Sequence, residues 1–350
     1  MPPETPADWL HQGQTQEAAN TAESVASAVE SYRQAIALLK AESPSEQGQR
    51  TLGIALMNLG NARQKQPDAA AVEETVRAYD EAIALLQAGA SAGDFELRNS
   101  IGAAWMNRGH ALQRGASSGA TTAALQSYDQ AIALLETLPP GENRFFGLNL
   151  AGAWLNRAQA LLTFPTPEAS SAHIAAGNAL KLVIGNALTD PVAADIALKT
   201  YHALCASLSH QLSRNPSPLL IAETSDAIDD SLALVRHWEL QGVQNIRPFE
   251  IVFFRFGARF YLAHQPQFIA EFLLETLAHV SAPGVTPDNG ELQTIATSAL
   301  AQVRSDVYNR SLLNPKDDRL ALLRQELDEA AQKFAQLFRT PEPTAGTALA

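Results

Sequence analysis

The stretch Tyr128-Asp129-Gln130-Ala131-Ile132-Ala133-Leu134-Leu135 is one of three copies of a single pattern. Tyr32 and Tyr79 open the other two, and Ala-Ile-Ala-Leu-Leu follows at 35–39, 82–86 and 131–135. Working outward, a small residue precedes the first alanine of each string by 22 positions, at Gly13, Gly60 and Gly109. Ala158 extends the series, so the small residues lie 47, 49 and 49 apart. Self-similarity at a fixed period predicts stacked units, each of which buries its apolar face against the next.

Apolar residues recur at three- and four-residue spacings with no sustained alternation, which predicts an all-helical chain. Breaks fall at Ser43-Pro44-Ser45, Gln66-Pro67-Asp68, Ala88-Gly89-Ala90, 115–119 and Pro139-Pro140-Gly141. Each cycle then reads as a helical hairpin: a first helix with the small residue and a second with Ala-Ile-Ala-Leu-Leu, both about 15–20 residues long. Further helices are expected at 169–185, 193–212, 218–239, 247–263, 266–280, 290–310 and 317–338, with a local irregularity at Phe164-Pro165-Thr166-Pro167. The domain reading is regular repeats over 1–163, divergent repeats continuing the array over 164–339, and a disordered tail at 340–350.

On a helical wheel Trp105, Gly109 and Leu112 share one face, while Ala103, Asn107, His110 and Arg114 lie opposite. Glycine within a helix costs about 0.5–1 kcal/mol relative to alanine, so small residues at one phase need a packing reason. Close approach of the paired helix supplies it, with Tyr128, Ala131, Ile132 and Leu135 as the matching stripe.

These residues resemble the tetratricopeptide repeat family, whose first helix carries an aromatic, a glycine and a tyrosine in register. Trp105-Met106-Asn107-Arg108-Gly109 and Trp154-Leu155-Asn156-Arg157-Ala158 carry the likeness, as do Asn58-Leu59-Gly60-Asn61-Ala62 and Trp9 with Gly13. A downstream copy, Phe253-Phe254-Arg255-Phe256-Gly257-Ala258-Arg259-Phe260, keeps both aromatics and the glycine. The family period is about 34 residues, and the longer period here departs from it by lengthening both helices. The resemblance implies an α-solenoid of about seven antiparallel hairpins in a right-handed superhelix, with first helices lining a concave groove.

It also implies that the residue two before the glycine faces that groove: His11, Asn58, Asn107, Asn156 and, downstream, Arg255. The wheel puts this position opposite the packing stripe. Asparagine both donates and accepts, which suits an extended peptide backbone. Asn61, His110 and Gln159 follow the glycine, and Lys65 and Arg114 lie one turn on, favouring acidic side chains. The alternative is that these asparagines tie adjacent repeats together and bind nothing. Arg108 and Arg157 stand where the family has leucine; pairing with Asp80 and Asp129 is expected, with anion binding as the alternative.

The formal net charge of −12 argues against nucleic acid and anionic membranes as partners. The single cysteine, Cys205, lies in an apolar segment and reads as a buried thiol in a reducing, cytoplasmic setting. The opening Met1-Pro2-Pro3-Glu4 has no signal-peptide character and no run is long enough to span a membrane. The eight histidines form no His-x-x-x-His pair, so no metal is expected. Asp226, Asp229 and Asp230 read as a solvated helix face. The aromatics from Phe249 to Tyr261 read as core, with an apolar docking pocket as the alternative. No catalytic constellation and no cofactor motif is found. The expected function is a protein-interaction scaffold or adaptor holding a peptide or partner protein in the groove. The second reading is a structural protein that self-associates through the solenoid ends.

Overall fold

The computed structural model describes residues 4–43, 45–66, 69–91, 93–115, 119–139, 141–164, 167–243, 246–280 and 290–337. Of the irregularity expected over Phe164-Pro165-Thr166-Pro167, Pro165 and Thr166 lie outside these residues, as does the tail from Thr340. Among the described residues the chain is all-helical, without strands. Close contacts divide it into two compact units, Met1–Ser213 and Arg214–Ala350.

The first unit holds α1 (Pro6–Ala18), α2 (Ala22–Ala41), α3 (Glu46–Gln64), α4 (Ala69–Gly89), α5 (Phe95–Arg114), α6 (Ala120–Leu135), α7 (Arg144–Leu162), α8 (Ala169–Val183) and α9 (Pro191–Arg214). Caps set the starts of the first helices. Thr5, Ser45, Asp94 and Asn143 each accept a backbone N–H of the turn they open, and the last three stand 49 residues apart. Such caps satisfy donors that the helix cannot satisfy itself, each contributing about 1 kcal/mol. Consecutive helices from α1 to α8 pack against one another. In addition α1 touches α3, α3 touches α5 and α5 touches α7.

The expected stripes are the core. Tyr32, Tyr79 and Tyr128 are fully buried, together with Ala35, Ala82 and Ala131. The small residue of each cycle receives the tyrosine ring. A Cβ built on Gly13, Gly60 or Gly109 would lie 2.5, 2.7 or 2.6 Å from Tyr32, Tyr79 or Tyr128. Two turns earlier Gly53 and Gly102 make a second contact of this kind, each with a Cβ position 2.6 Å from Leu86 or Leu135. A pair of glycines therefore lets the second helix lay a tyrosine and a leucine directly on the backbone of the first.

The fourth cycle changes both partners. Ala158 has a Cβ, and α8 carries no tyrosine: its buried stripe is Ala172, Ala175, Ala176, Ala179 and Val183, with Ala176 at the position of the ring. Volume gained on one helix is matched by volume lost on the other, as dense packing requires.

The second unit holds α10 (Pro218–Leu240), α11 (Arg247–His264), α12 (Ile269–Val280), α13 (Gly290–Leu313) and α14 (Asp318–Leu337). The helices expected beyond residue 169 are all present, with ends within a few residues of expectation. Here α10 packs on α11, α11 on α12 and α13, and α14 on α12 and α13. Phe253, Phe254, Phe260 and Tyr261 are buried, which fulfils the core reading of the aromatic cluster. Gly257 repeats the glycine-to-ring contact, facing the edge of Phe272.

Candidate functional site

The polar counterpart of the glycine stripe lies one turn further along each first helix. The residue four after the glycine is Glu17, Gln64 or Gln113, and each bonds the buried tyrosine hydroxyl. Tyr32 donates to Glu17 Oε2 at 2.9 Å, Tyr128 donates to Gln113 Oε1 at 2.5 Å, and Gln64 Nε2 donates to Tyr79 at 2.9 Å. Tyr79 passes its own proton to Asn61 Oδ1 at 2.7 Å. Burial pushes the ionisation of all three phenols upward; at Tyr32 the neighbouring Glu17 carboxylate adds to the effect. In the fourth cycle, where α8 has no tyrosine, the position four after Ala158 is Leu162, with no polar group to satisfy.

Arg108 and Arg157 make the ion pairs expected of them. Arg108 Nε lies 2.6 Å from Asp80 Oδ1, and Arg157 Nε lies 2.7 Å from Asp129 Oδ1. Each guanidinium also stands over the tryptophan three residues before it, Trp105 at 5.5 Å and Trp154 at 5.8 Å from the ring centroid. The pairing positions a planar cation against an aromatic face and fixes both side chains.

The nine sequence-derived binding positions divide into groups. Asn61, Asn107, His110 and Arg114 form one connected network between α3 and α5. Asn107 Nδ2 donates to Asn61 Oδ1 at 3.1 Å, and Gln64 Nε2 donates to the Asn107 carbonyl at 2.8 Å. His110 Nδ1 sits 2.9 Å from Gln64 Oε1, while Arg114 donates to the carbonyls of Gln64 and Gln66. Burial, and then the nearby Arg114 cation, hold His110 below the usual histidine range. Lys65 links α3 to α1 through Glu17, Nζ to Oε1 at 3.0 Å. Asn58 and Asn156 are half-buried, and the Nδ2 of Asn58 is enclosed without a hydrogen-bond partner. Gln159 is exposed on α7. Arg255 lies on α11, in the second unit.

This arrangement is a cross-linked row of polar side chains across α1, α3 and α5, with Asn156 and Gln159 on α7 beyond it. Sequence reasoning did not find Glu17, Gln64 or Gln113, which orient the row, although their fixed offset from the glycine was a usable signal. It also did not find the α5–α7 link, where Asn149 Nδ2 donates to Asn99 Oδ1 at 3.0 Å.

Cys205 is buried and its thiol is pushed up to about 12 by that burial, the inert core thiol expected of its surroundings. No helix among the described residues is long and apolar enough to cross a membrane. Comparison of the sequence with protein-family models and with curated proteins found no match.

Proposed function

We propose that this protein is a non-enzymatic interaction module of tetratricopeptide type, a scaffold or adaptor that holds a peptide or partner protein along its first helices. In this reading α1 to α8 form a right-handed solenoid, and α1, α3, α5 and α7 face the concave groove. One observation carries the reading: these four helices adjoin in succession and present a polar row that the packing stripe does not use. A rigid, cross-linked row favours binding because little side-chain freedom remains to be lost when a ligand docks. Asn58 and Asn156, both half-buried, are the positions with hydrogen-bonding capacity to offer a peptide backbone. The depressed affinity of His110 for protons keeps that site neutral at physiological pH, beside the cations of Arg114 and Lys65. The buried thiol and the acidic surface fit a cytoplasmic protein that binds neither nucleic acid nor membrane.

The experiment is capture of partners by the intact chain in parallel with an Asn58→Ala/Asn156→Ala variant, followed by affinity measurement for the partner captured. Loss of about 1–3 kcal/mol of binding at unchanged melting temperature is expected for two neutral hydrogen bonds. Unchanged affinity removes the row from the binding surface. Light scattering that shows concentration-dependent assembly, with no partner captured, favours self-association through the ends.

A further inference from the structure

The second unit carries a pocket of about 320 Å³ between α10, α11 and α12, lined by Ser225, Asp229, Tyr261, Phe268, Glu271 and Glu275, with Gln265 and Phe272 behind them. Its polar groups are one-sided. Tyr261 donates a hydrogen bond to Asp229 Oδ1 at 3.2 Å, and Ser225 Oγ lies 2.9 Å from the same phenol, so both hydroxyls are engaged internally. The pocket therefore offers acceptors: three carboxylates and the amide oxygen of Gln265, which is enclosed and lacks a hydrogen-bond partner. Among the described residues neither Glu271 nor Glu275 has an ion-pair partner. Asp226, one turn before Asp229 on α10, and the adjacent Asp230 add to the same field. Partial burial, with Glu275, Asp226 and Asp230 behind it, raises the proton affinity of Asp229, against the opposing bond from Tyr261. Like charge gathered in this way is relieved by a cation.

Two features select the kind of cation. No group of three or more such side chains among the described residues converges closely enough to hold a metal ion. Aromatic rings line the pocket beside the carboxylates: Phe268 is 46% exposed, and Phe272 packs on Tyr261 with ring centroids 4.8 Å apart. Aromatic faces beside carboxylates suit a guanidinium or ammonium carried on an apolar stem.

We propose that this pocket receives an arginine or lysine side chain of a partner polypeptide, the guanidinium or ammonium meeting Asp229, Glu271 and Glu275 while its stem lies along Phe268. This inference concerns the second unit and does not depend on the groove reading of the first. Complementarity of charge decides the occupant, since a basic segment is also the partner that a chain of net charge −12 attracts over distance.

The test uses the full chain and a short end-blocked glycine peptide with one central arginine, titrated by fluorescence anisotropy beside the same peptide carrying citrulline. Arginine should bind at least about tenfold more tightly than its neutral isostere, as charge-assisted bonds require. Glu271→Gln/Glu275→Gln, both at exposed positions, should remove most of that difference, and Phe268→Ala should weaken both peptides. A control variant, Glu142→Gln/Asp195→Asn, makes the same charge change in the first unit and should leave binding intact. Equal weakening by the control, equal affinity for citrulline, or no binding of either peptide overturns the proposal.

Discussion

A Cβ added to Gly109 would stand 2.6 Å from Cε1 of Tyr128, so the two residues fit only because one of them has no side chain. The same substitution is therefore expected to have opposite signs at two helical glycines. Gly109→Ala gains about 0.5–1 kcal/mol in helix propensity but drives a methyl into a fully buried ring, and overpacking of this kind typically costs about 1–3 kcal/mol. Gly177→Ala gains the same propensity and meets nothing within 4 Å. Urea melts should show Gly109→Ala destabilised and Gly177→Ala stabilised. In a Tyr128→Ala background the penalty at Gly109 should disappear, a double-mutant cycle that assigns it to the ring. Equal effects of alanine at both glycines would sink the close-contact argument.

Alkaline pH should expose the buried phenols. Tyr32, Tyr79 and Tyr128 have ionisations raised above the ordinary value of 10.0, chiefly by burial. A raised folded-state value means that their contribution to stability is fully present below about pH 10, where the unfolded phenol titrates, and is lost as pH climbs towards the folded value. Melting temperature should accordingly hold from neutral pH to about 10 and fall beyond it. A Tyr32→Phe/Tyr79→Phe/Tyr128→Phe variant, less stable at neutral pH, should lose less on the alkaline side. An alkaline slope identical to that of the parent chain would contradict the assignment.

The helical register was legible because Tyr128 and the string at 131–135 repeat residue for residue, and Tyr128, Ala131, Ile132 and Leu135 are all buried as expected. Gly53 and Gly102 were harder to read. Their equivalents in the other cycles are Pro6 and Ala151, so no single residue type marks the contact with the leucine. Asn107 reads from the wheel as opposite the packing stripe, but its bond to Asn61 crosses 46 residues of chain and depends on how α3 and α5 approach. Asp229 illustrates the limit most clearly. Read along α10 it is one of three exposed aspartates; only folding brings it to Tyr261 and Glu275 and turns a charged face into the wall of a pocket.

Arg157→Leu restores the residue type of the resembled repeat and removes the pair with Asp129. Both side chains are partly exposed, 26% and 54%, and such pairs contribute about 0–1 kcal/mol. Packing of the leucine beside Trp154 offsets part of that. Stability within about 1 kcal/mol of the parent is expected in chemical denaturation. A loss of several kcal/mol would mean that the cation over Trp154 holds α7 and α6 together, rather than the glycine and alanine stripe.

The last prediction separates two residues that share one hydrogen bond. Asn61 Oδ1 accepts from both Tyr79 and Asn107. Asn107→Ala removes one donor and leaves Asn61 still bonded to the phenol, so the loss should be that of a single neutral bond, about 0.5–1.5 kcal/mol. Asn61→Ala leaves the hydroxyl of the fully buried Tyr79 without an acceptor for its proton, and an orphaned polar group costs about 1–3 kcal/mol. Asn61→Ala should therefore be the more destabilising, and Tyr79→Phe in that background should recover part of the loss because the stranded hydroxyl is gone. Asn156→Ala, in contrast, should leave the denaturation curve nearly unchanged and weaken partner binding. Equilibrium unfolding of the single variants and of the Asn61→Ala/Tyr79→Phe pair checks the order. If Asn107→Ala proves the costlier change, the amide row owes its rigidity to Asn107 rather than to the tyrosine beneath Asn61, and the preorganisation argued for the groove rests on a different pair.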